Sequence, residues 1–81
     1  MTVYVDDTRT PFGRLIMCHM VSDSEIELHG MATAIGVHRR HFHRGHYNIC
    51  MTMRAKAVAR GAVEISDVAA AKIRRKLERG A

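Results

Sequence analysis

Every apolar segment of this chain is short, and each is followed within a few residues by a turn or capping signal. Residues 2–5 are β-branched or aromatic and lead into two aspartates, which predicts a short strand. Residues 15–20 form a mostly apolar run typical of a buried strand. No run approaches the roughly 20 apolar residues that cross a bilayer. We therefore expect short elements packed together and no membrane segment.

Three helices are predicted from capping signals and helical periodicity. A Ser-x-x-Glu capping box begins at Ser22, and Gly36 ends the amphipathic stretch that follows it. A second helix begins at Cys50 or Thr52. The third is capped by Ser66 and runs almost to the end of the chain.

The remaining segments predict two more strands and two loops. Residues 47–49 and 62–65 indicate strands, and with the helix between them they would form a parallel crossover. Residues 8–13 and 38–45 are predicted as loops. The resulting order, β-β-α-(β)-α-β-α, favours an α+β or small α/β fold. We expect one domain over residues 1–81, with three to four short strands and three helices.

The chain is basic, and its charge is unevenly distributed. The formal net charge is +5 for the whole chain, yet residues 1–37 carry two Arg against five acidic residues, a net of −3. Residues 38–81 carry eleven Lys and Arg against three acidic residues, a net of +8. Such asymmetry is typical of a polyanionic partner. The alternative is that the charge only keeps the protein soluble.

The cysteines and the N-terminal segment favour the cytoplasm. Cys18 and Cys50 are too few for a disulfide framework. Residues 1–7 lack the basic start and apolar stretch of a signal peptide. We expect a cytoplasmic protein with reduced thiols and no membrane contact.

The densest polar feature is the basic loop, residues 38–46, where nine residues include four His and three Arg. Arg offers a two-pronged donor to phosphate oxygens, His adds further donors, and Phe42 would stack on a base. Two alternatives stay open: a metal site, because imidazole binds zinc, copper and nickel, and a solvated loop. The candidate phosphate contacts are Arg39, Arg40, His41, His43 and Arg44.

A cationic stripe marks the last helix. Its four basic residues recur at helical spacing, so they share one face and could track a phosphate backbone. The alternative is structural, because cations near a helix C-terminus interact favourably with the helix dipole. The members of the stripe are Lys72, Arg75, Lys76 and Arg79.

Acidic and imidazole side chains also stand at the ends of several predicted elements. Asp6 follows the first strand, His19 ends the second, His29 lies in the first helix and His46 precedes the third strand. We predict that they converge on one cavity, where Asp6, His19 and His46 could bind a divalent metal or exchange protons. The alternative is that Asp6 caps a turn and His19 forms hydrogen bonds in the core.

A structural zinc site is a further alternative. It would use Cys18 and Cys50 with His19 and His46, although their spacing matches no standard zinc module. The sequence requires no cofactor, and a divalent metal remains an alternative only. It also contains no nucleophile elbow, P-loop, dinucleotide-binding glycine pattern or HExxH motif.

Several short motifs occur in an order that resembles the bacterial and phage family called domain of unknown function 4031. They are Met1-Thr-Val-Tyr-Val-Asp-Asp7, Cys18-His19, Glu27-Leu28-His29, His46-Tyr47-Asn48, Arg54 and Gly61-Ala62-Val63. The resemblance covers residues 2–65. Asn48 stands where the family usually has Asp, and residues 39–43 stand where its middle loop often has an aromatic residue such as Trp. The resemblance implies a cytosolic protein of bacterial or phage origin, and it brings no established activity.

Three functions from different classes fit these observations. The first is a module that binds nucleic acid or a nucleotide through the basic loop and the cationic stripe. The second is a phage-encoded protein that docks on a host protein as an inhibitor or anti-defence factor. The third is a metal- or His-dependent phosphoesterase or nuclease at Asp6, His19 and His46. The sequence leaves the oligomeric state open.

Overall fold

The computed structural model describes residues 2–80, so Met1 and Ala81 of the predicted domain lie outside the described part. The α+β class is confirmed with three helices, but the sheet has six strands rather than three or four. The helices are α1 (Glu25–Ile35), α2 (Met51–Ala59) and α3 (Asp67–Gly80). The strands are β1 (Val3–Val5), β2 (Thr10–Phe12), β3 (Leu15–Ser22), β4 (Phe42–His43), β5 (His46–Cys50) and β6 (Val63–Glu64).

The long strand β3 organises the sheet. The strand order is β4-β5-β3-β1-β6, and β2 pairs with the first residues of β3. β3 is antiparallel to both β1 and β5, whereas β1 and β6 are parallel. β5 and β6 therefore run in the same direction, as the predicted crossover requires, but β3 and β1 lie between them.

Helices cover both faces of this sheet. Alternate residues of β3 point to opposite faces, and Cys18 and Met20 pack in the main apolar core with Leu28 of α1 and Ala57 of α2. The intervening residues of β3 face α3, and Val21 borders a cleft there together with Ala70 and other α3 residues. In residues 2–80, no helix has both the length and the apolarity needed to cross a membrane.

The first helix begins at a different cap from the predicted one. The N-cap is Ser24, whose side chain accepts a hydrogen bond from the backbone N–H of Glu27. Ser22 is the last residue of β3, where it pairs with Val3 and donates its hydroxyl proton to the Thr2 carbonyl. Strand pairing thus extends β3 through the predicted cap. Gly36 ends α1 in the left-handed conformation, as predicted.

Two segments predicted as loops contain short strands. β2 lies within residues 8–13, and β4 within residues 38–45 after a single 3₁₀ turn, Arg39–His41. All three residues of β2 are exposed, so the strand carries no apolar alternation from which it could be predicted. β2 is also an edge strand, which is where a sheet tolerates a residue such as Pro11.

Candidate functional site

The site is built around a buried carboxylate. Asp6 follows β1 and is fully buried, and its backbone N–H donates to the His19 carbonyl at 3.0 Å. One carboxylate oxygen accepts from the His19 backbone N–H at 2.9 Å and from the Thr8 hydroxyl at 2.8 Å. The other lies 2.7 Å from Nδ1 of the His19 ring. Asp6 therefore fixes both the backbone and the ring of His19.

Asp6 is held in its charged form. Burial by itself raises the pKa of the Asp6 carboxyl, but the hydrogen bonds from His19 and Thr8 together outweigh burial and leave that pKa below its usual value. An ionised carboxylate only accepts hydrogen bonds, so Nδ1 of His19 carries the proton in this contact. Nε2 of the same ring is then the nitrogen that is left with a lone pair when the ring is neutral.

Arg54 of α2 supports this arrangement from the other side of β1. Its Nε donates to the backbone carbonyl of Asp6 at 2.9 Å, and its guanidinium pairs with Glu64 of β6 at 2.8 Å. Arg54 belongs to the motifs that carry the family resemblance, but its charge alone did not single it out. Thr8 was also missed, although a hydroxyl two residues after an Asp is a common turn partner.

His46 completes a row of three imidazoles on the same face of the sheet. Its ring centroid lies 5.1 Å from that of His19 and 6.1 Å from that of His43. Its Nδ1 lies 3.3 Å from the Arg44 carbonyl. Burial lowers the pKa of His46, the charges of His19, Arg74 and His43 lower it further, and the Arg44 carbonyl opposes this only in part.

His29 does not join this group. It lies on α1, over the opposite face of the sheet, where its Nδ1 is 2.6 Å from the Tyr47 hydroxyl. Its Nε2 is buried, has no hydrogen-bond partner, and lies 3.9 Å from a Glu25 carboxylate oxygen. The prediction that His29 converges with the others is wrong, because α1 packs on the other side of β3 and β5. Asp6, His19 and His46 do lie together.

An open cleft of about 630 Å³, which we call the hairpin cleft, lies beside His19. The β2–β3 hairpin forms its apolar wall through Pro11, Phe12, Leu15 and Met17. Its polar lining includes Thr8, His19, His41 and Asn48. One residue of the basic loop, His41, thus borders the same cleft as the Asp6-oriented ring of His19.

A smaller space of about 200 Å³, the helix cleft, lies on the other side of His19. It is bordered by Thr8 and His19 from the sheet side and by Arg74 from α3. Thr8 and His19 line both clefts, so they form the ridge between them. Arg74 is half-buried and is not a member of the predicted cationic stripe.

The predicted basic residues are exposed on two elements that touch each other. All five candidates in the basic loop and all four residues of the stripe are exposed. Gly45 joins the two elements, since a Cβ at this position would stand 2.9 Å from the Arg74 carbonyl oxygen and 3.5 Å from Glu78. The loop therefore packs against the C-terminal half of α3.

The four residues of the zinc alternative do not converge, although the rings of His19 and His46 are neighbours. In residues 2–80, no group of three or more His, Cys, Asp or Glu residues is arranged to hold a metal ion. Cys18 points into the apolar core, on the face opposite His19. Burial raises the pKa of Cys18 to about 11, so its thiol is neutral in the core.

Comparison with known families resolves the resemblance. The family model described as "Protein of unknown function (DUF4031)" matches residues 3–78. The chain belongs to this family. The family match spans Asp6, both histidines of the hairpin cleft, Arg54 and most of α3. No curated protein and no solved structure matches the chain.

Proposed function

We propose that this DUF4031 protein binds a phosphate-bearing ligand, a nucleotide or a segment of nucleic acid. The observation that carries the proposal is the composition of the hairpin cleft. One wall is apolar and includes an aromatic ring, and the other presents the imidazoles of His19 and His41 beside the basic loop. A nucleotide has the matching halves, a flat base and an anionic phosphate.

The apolar wall suits a nucleobase. Phe12 is 72% exposed, and Leu15 of the same wall is 49% exposed. Stacking of a base on an aromatic side chain contributes about 1–3 kcal/mol and tolerates any base. A single strand supplies unstacked bases more readily than a duplex does, so we expect single-stranded RNA or DNA to bind more tightly than duplex.

The polar wall suits the phosphate. His41 belongs to the same turn as Arg39 and Arg40, whose guanidinium groups are exposed. On the far side of His19, Arg74 adds a cation at the helix cleft. Phosphates that follow the base can therefore reach guanidinium and imidazole donors on either side of the ridge.

A binding experiment with a matched control tests this proposal. The anisotropy of a labelled single-stranded RNA hexamer is followed at low salt for the native protein, for Phe12→Ala and for Ile26→Ala. Ile26 is 85% exposed on α1, away from the cleft, so its removal controls for the loss of exposed apolar surface. We expect Phe12→Ala to weaken binding about tenfold or more, which is the loss of one stacked base, and Ile26→Ala to leave it unchanged.

Two results contradict the proposal. The first is an absence of RNA binding at 50 mM salt and pH 6, conditions that favour phosphate contacts, and it would make a protein partner for the exposed hairpin the leading candidate. The second is equal affinity for the two variants, which would place the ligand elsewhere.

The free thiols of Cys18 and Cys50 support the further proposal that the protein works in a reducing compartment such as the cytoplasm.

A further inference from the structure

We infer that the hairpin cleft is a metal-independent ribonuclease site in which His19 and His41 exchange protons with RNA and Asp6 positions His19. The inference rests on the proposed binding of nucleic acid and adds a reaction to it. It differs from the metal- or His-dependent phosphoesterase or nuclease expected from the sequence, because it replaces His46 by His41 and commits to the reaction without a metal ion.

His19 has the geometry of a general base. Its Nδ1 donates to the buried Asp6 carboxylate, so the ring is locked in one tautomer and one orientation. Its side chain is 30% exposed, and the ring borders both clefts. Nε2 is thus the nitrogen free to take a proton from a bound ligand. The Asp6 carboxylate would balance the positive charge that the ring then carries.

His41 provides a second proton-transfer group at the same cleft. It is exposed and lies in the 3₁₀ turn of the basic loop. Together with Asn48, it lines the hairpin cleft. His46 is less suited to this role, since it is only 5% exposed and borders neither cleft. Two imidazoles facing one ligand allow one to act as base and the other as acid in the same step.

The reaction that needs only these two groups is transesterification of RNA. His19 Nε2 removes the proton of a 2′-hydroxyl, and the 2′-oxygen forms a bond to the adjacent phosphorus. The bond from phosphorus to the 5′-oxygen of the next nucleotide breaks, and protonated His41 gives its proton to that oxygen. The products are a 2′,3′-cyclic phosphate and a free 5′-hydroxyl. No metal, water or redox partner enters this step.

The surroundings fit the charges that develop in this step. The five-coordinate phosphorus carries additional negative charge, and the guanidinium of Arg39 or Arg40 in the His41 turn could stabilise it. The apolar wall around Phe12 would hold the base, which fixes the phosphate between the imidazoles. DNA lacks the 2′-hydroxyl and would be bound but left intact.

A chimeric oligonucleotide tests the chemistry directly. A DNA dodecamer with one ribonucleotide is incubated with the protein in EDTA, beside an all-DNA copy and an all-RNA copy. We expect a single cut on the 3′ side of the ribonucleotide, a 2′,3′-cyclic phosphate identified by mass spectrometry, and no cut in the all-DNA copy. Cleavage that EDTA abolishes, or equal cleavage of DNA, would overturn the inference.

Variants assign the roles. We expect His19→Ala and His41→Gln each to lower kcat by about 100-fold or more, the usual contribution of a general acid or base. Added imidazole should restore part of the activity of His19→Ala, which a purely structural role for His19 would not allow. His29→Gln, on the other face of the sheet, serves as the matched histidine control and should keep full activity once its thermal melt shows that it is folded.

Asp6 is tested as a positioning residue. Asp6→Asn should lower kcat and leave KM nearly unchanged, because Asp6 is buried behind His19 and does not border the hairpin cleft. An equal rise in KM would overturn that role. If the oligonucleotides bind with the expected Phe12 dependence but none is cut, the ribonuclease inference fails and the binding proposal stands. If none binds, both fail.

Discussion

A carboxylate that is fully buried stays ionised only when enough donors replace the water it has lost. Asp6 has two backbone N–H donors, the Thr8 hydroxyl and the His19 ring, all within 3.3 Å. The same contacts join the end of β1 to β3. The charge that orients His19 is therefore also part of what holds the sheet together at this point.

Asp6→Asn should destabilise the protein. An amide keeps one acceptor oxygen but directs an NH₂ group toward the His19 ring or toward the backbone donors. The loss of charged hydrogen bonds of this kind costs about 2 kcal/mol of unfolding free energy. Urea denaturation at pH 7 measures the difference, and equal midpoints for the two proteins would show that water satisfies the site.

The difference in unfolding free energy between the native protein and Asp6→Asn should depend on pH, and its direction follows from the pKa of Asp6. Folding lowers the pKa of Asp6 below its ordinary value of 3.8, so the contribution of the ionised carboxylate to stability is present above that value. As the pH falls through 3.8 toward the folded-state pKa, the unfolded chain binds a proton first and the contribution is lost. The excess stability over Asp6→Asn should therefore shrink between pH 4 and pH 2.

Protonation of His46 should change the unfolding free energy over a higher pH range than protonation of Asp6 does. Because the pKa of His46 is lowered in the folded protein from 6.5, the unfolded chain takes up the proton first as the pH falls below about 6.5. Unfolding then becomes easier. We expect His46→Gln to lose less unfolding free energy than the native protein between pH 7.5 and pH 5.5 in parallel urea titrations. Parallel pH curves for the two proteins would refute this.

At the scale of single residues, part of the site could be predicted from the sequence. Asp6 and His19 do meet, as expected from their places at the ends of predicted strands, but His19 lies inside β3, and the pairing of β1 with β3 brings the two residues together. The sequence did not reveal which sheet face α1 covers, so His29 was grouped with them although it pairs with Tyr47. The tautomer of His19 depends on one 2.7 Å contact across thirteen residues, which no local pattern encodes.

Among the elements, the closest approach between the basic loop and α3 is made by a glycine. Gly45 has φ +80°, in the left-handed region, and stands against the Arg74 backbone. A side chain here would have both an unfavourable backbone conformation and no room. The turn between β4 and β5 can rest on α3 only because this position carries no Cβ.

Gly45→Ala should therefore lower the free energy of unfolding more than a Gly→Ala change at an uncrowded position. Gly13→Ala is the matched control, because its φ is +60° and a Cβ there would meet nothing within 4 Å. The control isolates the backbone penalty of about 1 kcal/mol, and we expect Gly45→Ala to lose about 1–2 kcal/mol beyond it through overpacking. Equal losses in urea denaturation would show that α3 moves aside.

Helix α1 could be predicted because it has an apolar face. Leu28, Ala32 and Ile35 are buried, so the periodicity of α1 reported its packing. β2 and β4 were missed because neither shows an apolar alternation: all three residues of β2 are exposed, and β4 is a two-residue strand inside the basic loop. β6 also has two residues, but the apolar Ala62, Val63 and Ile65 around it predicted a strand. The direction of the crossover was predictable, but the insertion of β3 and β1 between its strands follows from long-range pairing alone.

Over the whole molecule, two of the basic elements lie side by side. The basic loop and α3 come from the C-terminal half, which carries the net +8, and they touch at Gly45. Lys56 of α2 and Arg60, which directly follows α2, are also exposed, and α2 packs on the face of the sheet opposite α3. If the loop and the helix form one phosphate-binding surface, a long ligand should contact both.

The salt dependence of DNA affinity measures how many Lys and Arg side chains contact phosphates. Each phosphate contact releases counterions, so the logarithm of the affinity for duplex DNA should fall with log salt by about 0.9 per contact. Four or five contacts give a slope near −4. Two sets of cations are replaced by Gln: the stripe, which is Lys72, Arg75, Lys76 and Arg79, and the loop arginines, which are Arg39, Arg40 and Arg44. We expect a flatter slope when either set is replaced, and the flattest slope when both are replaced.

The control for lost charge is the double variant Lys56→Gln and Arg60→Gln, which changes α2 and the residue that follows it. This pair reduces the net charge without touching the proposed surface, so the slope should stay at its native value. A slope that falls equally in all variants would indicate a response to net charge alone. A slope that responds to the loop but not to the stripe would restrict the ligand to the hairpin cleft, and the cations of α3 would then serve the helix dipole.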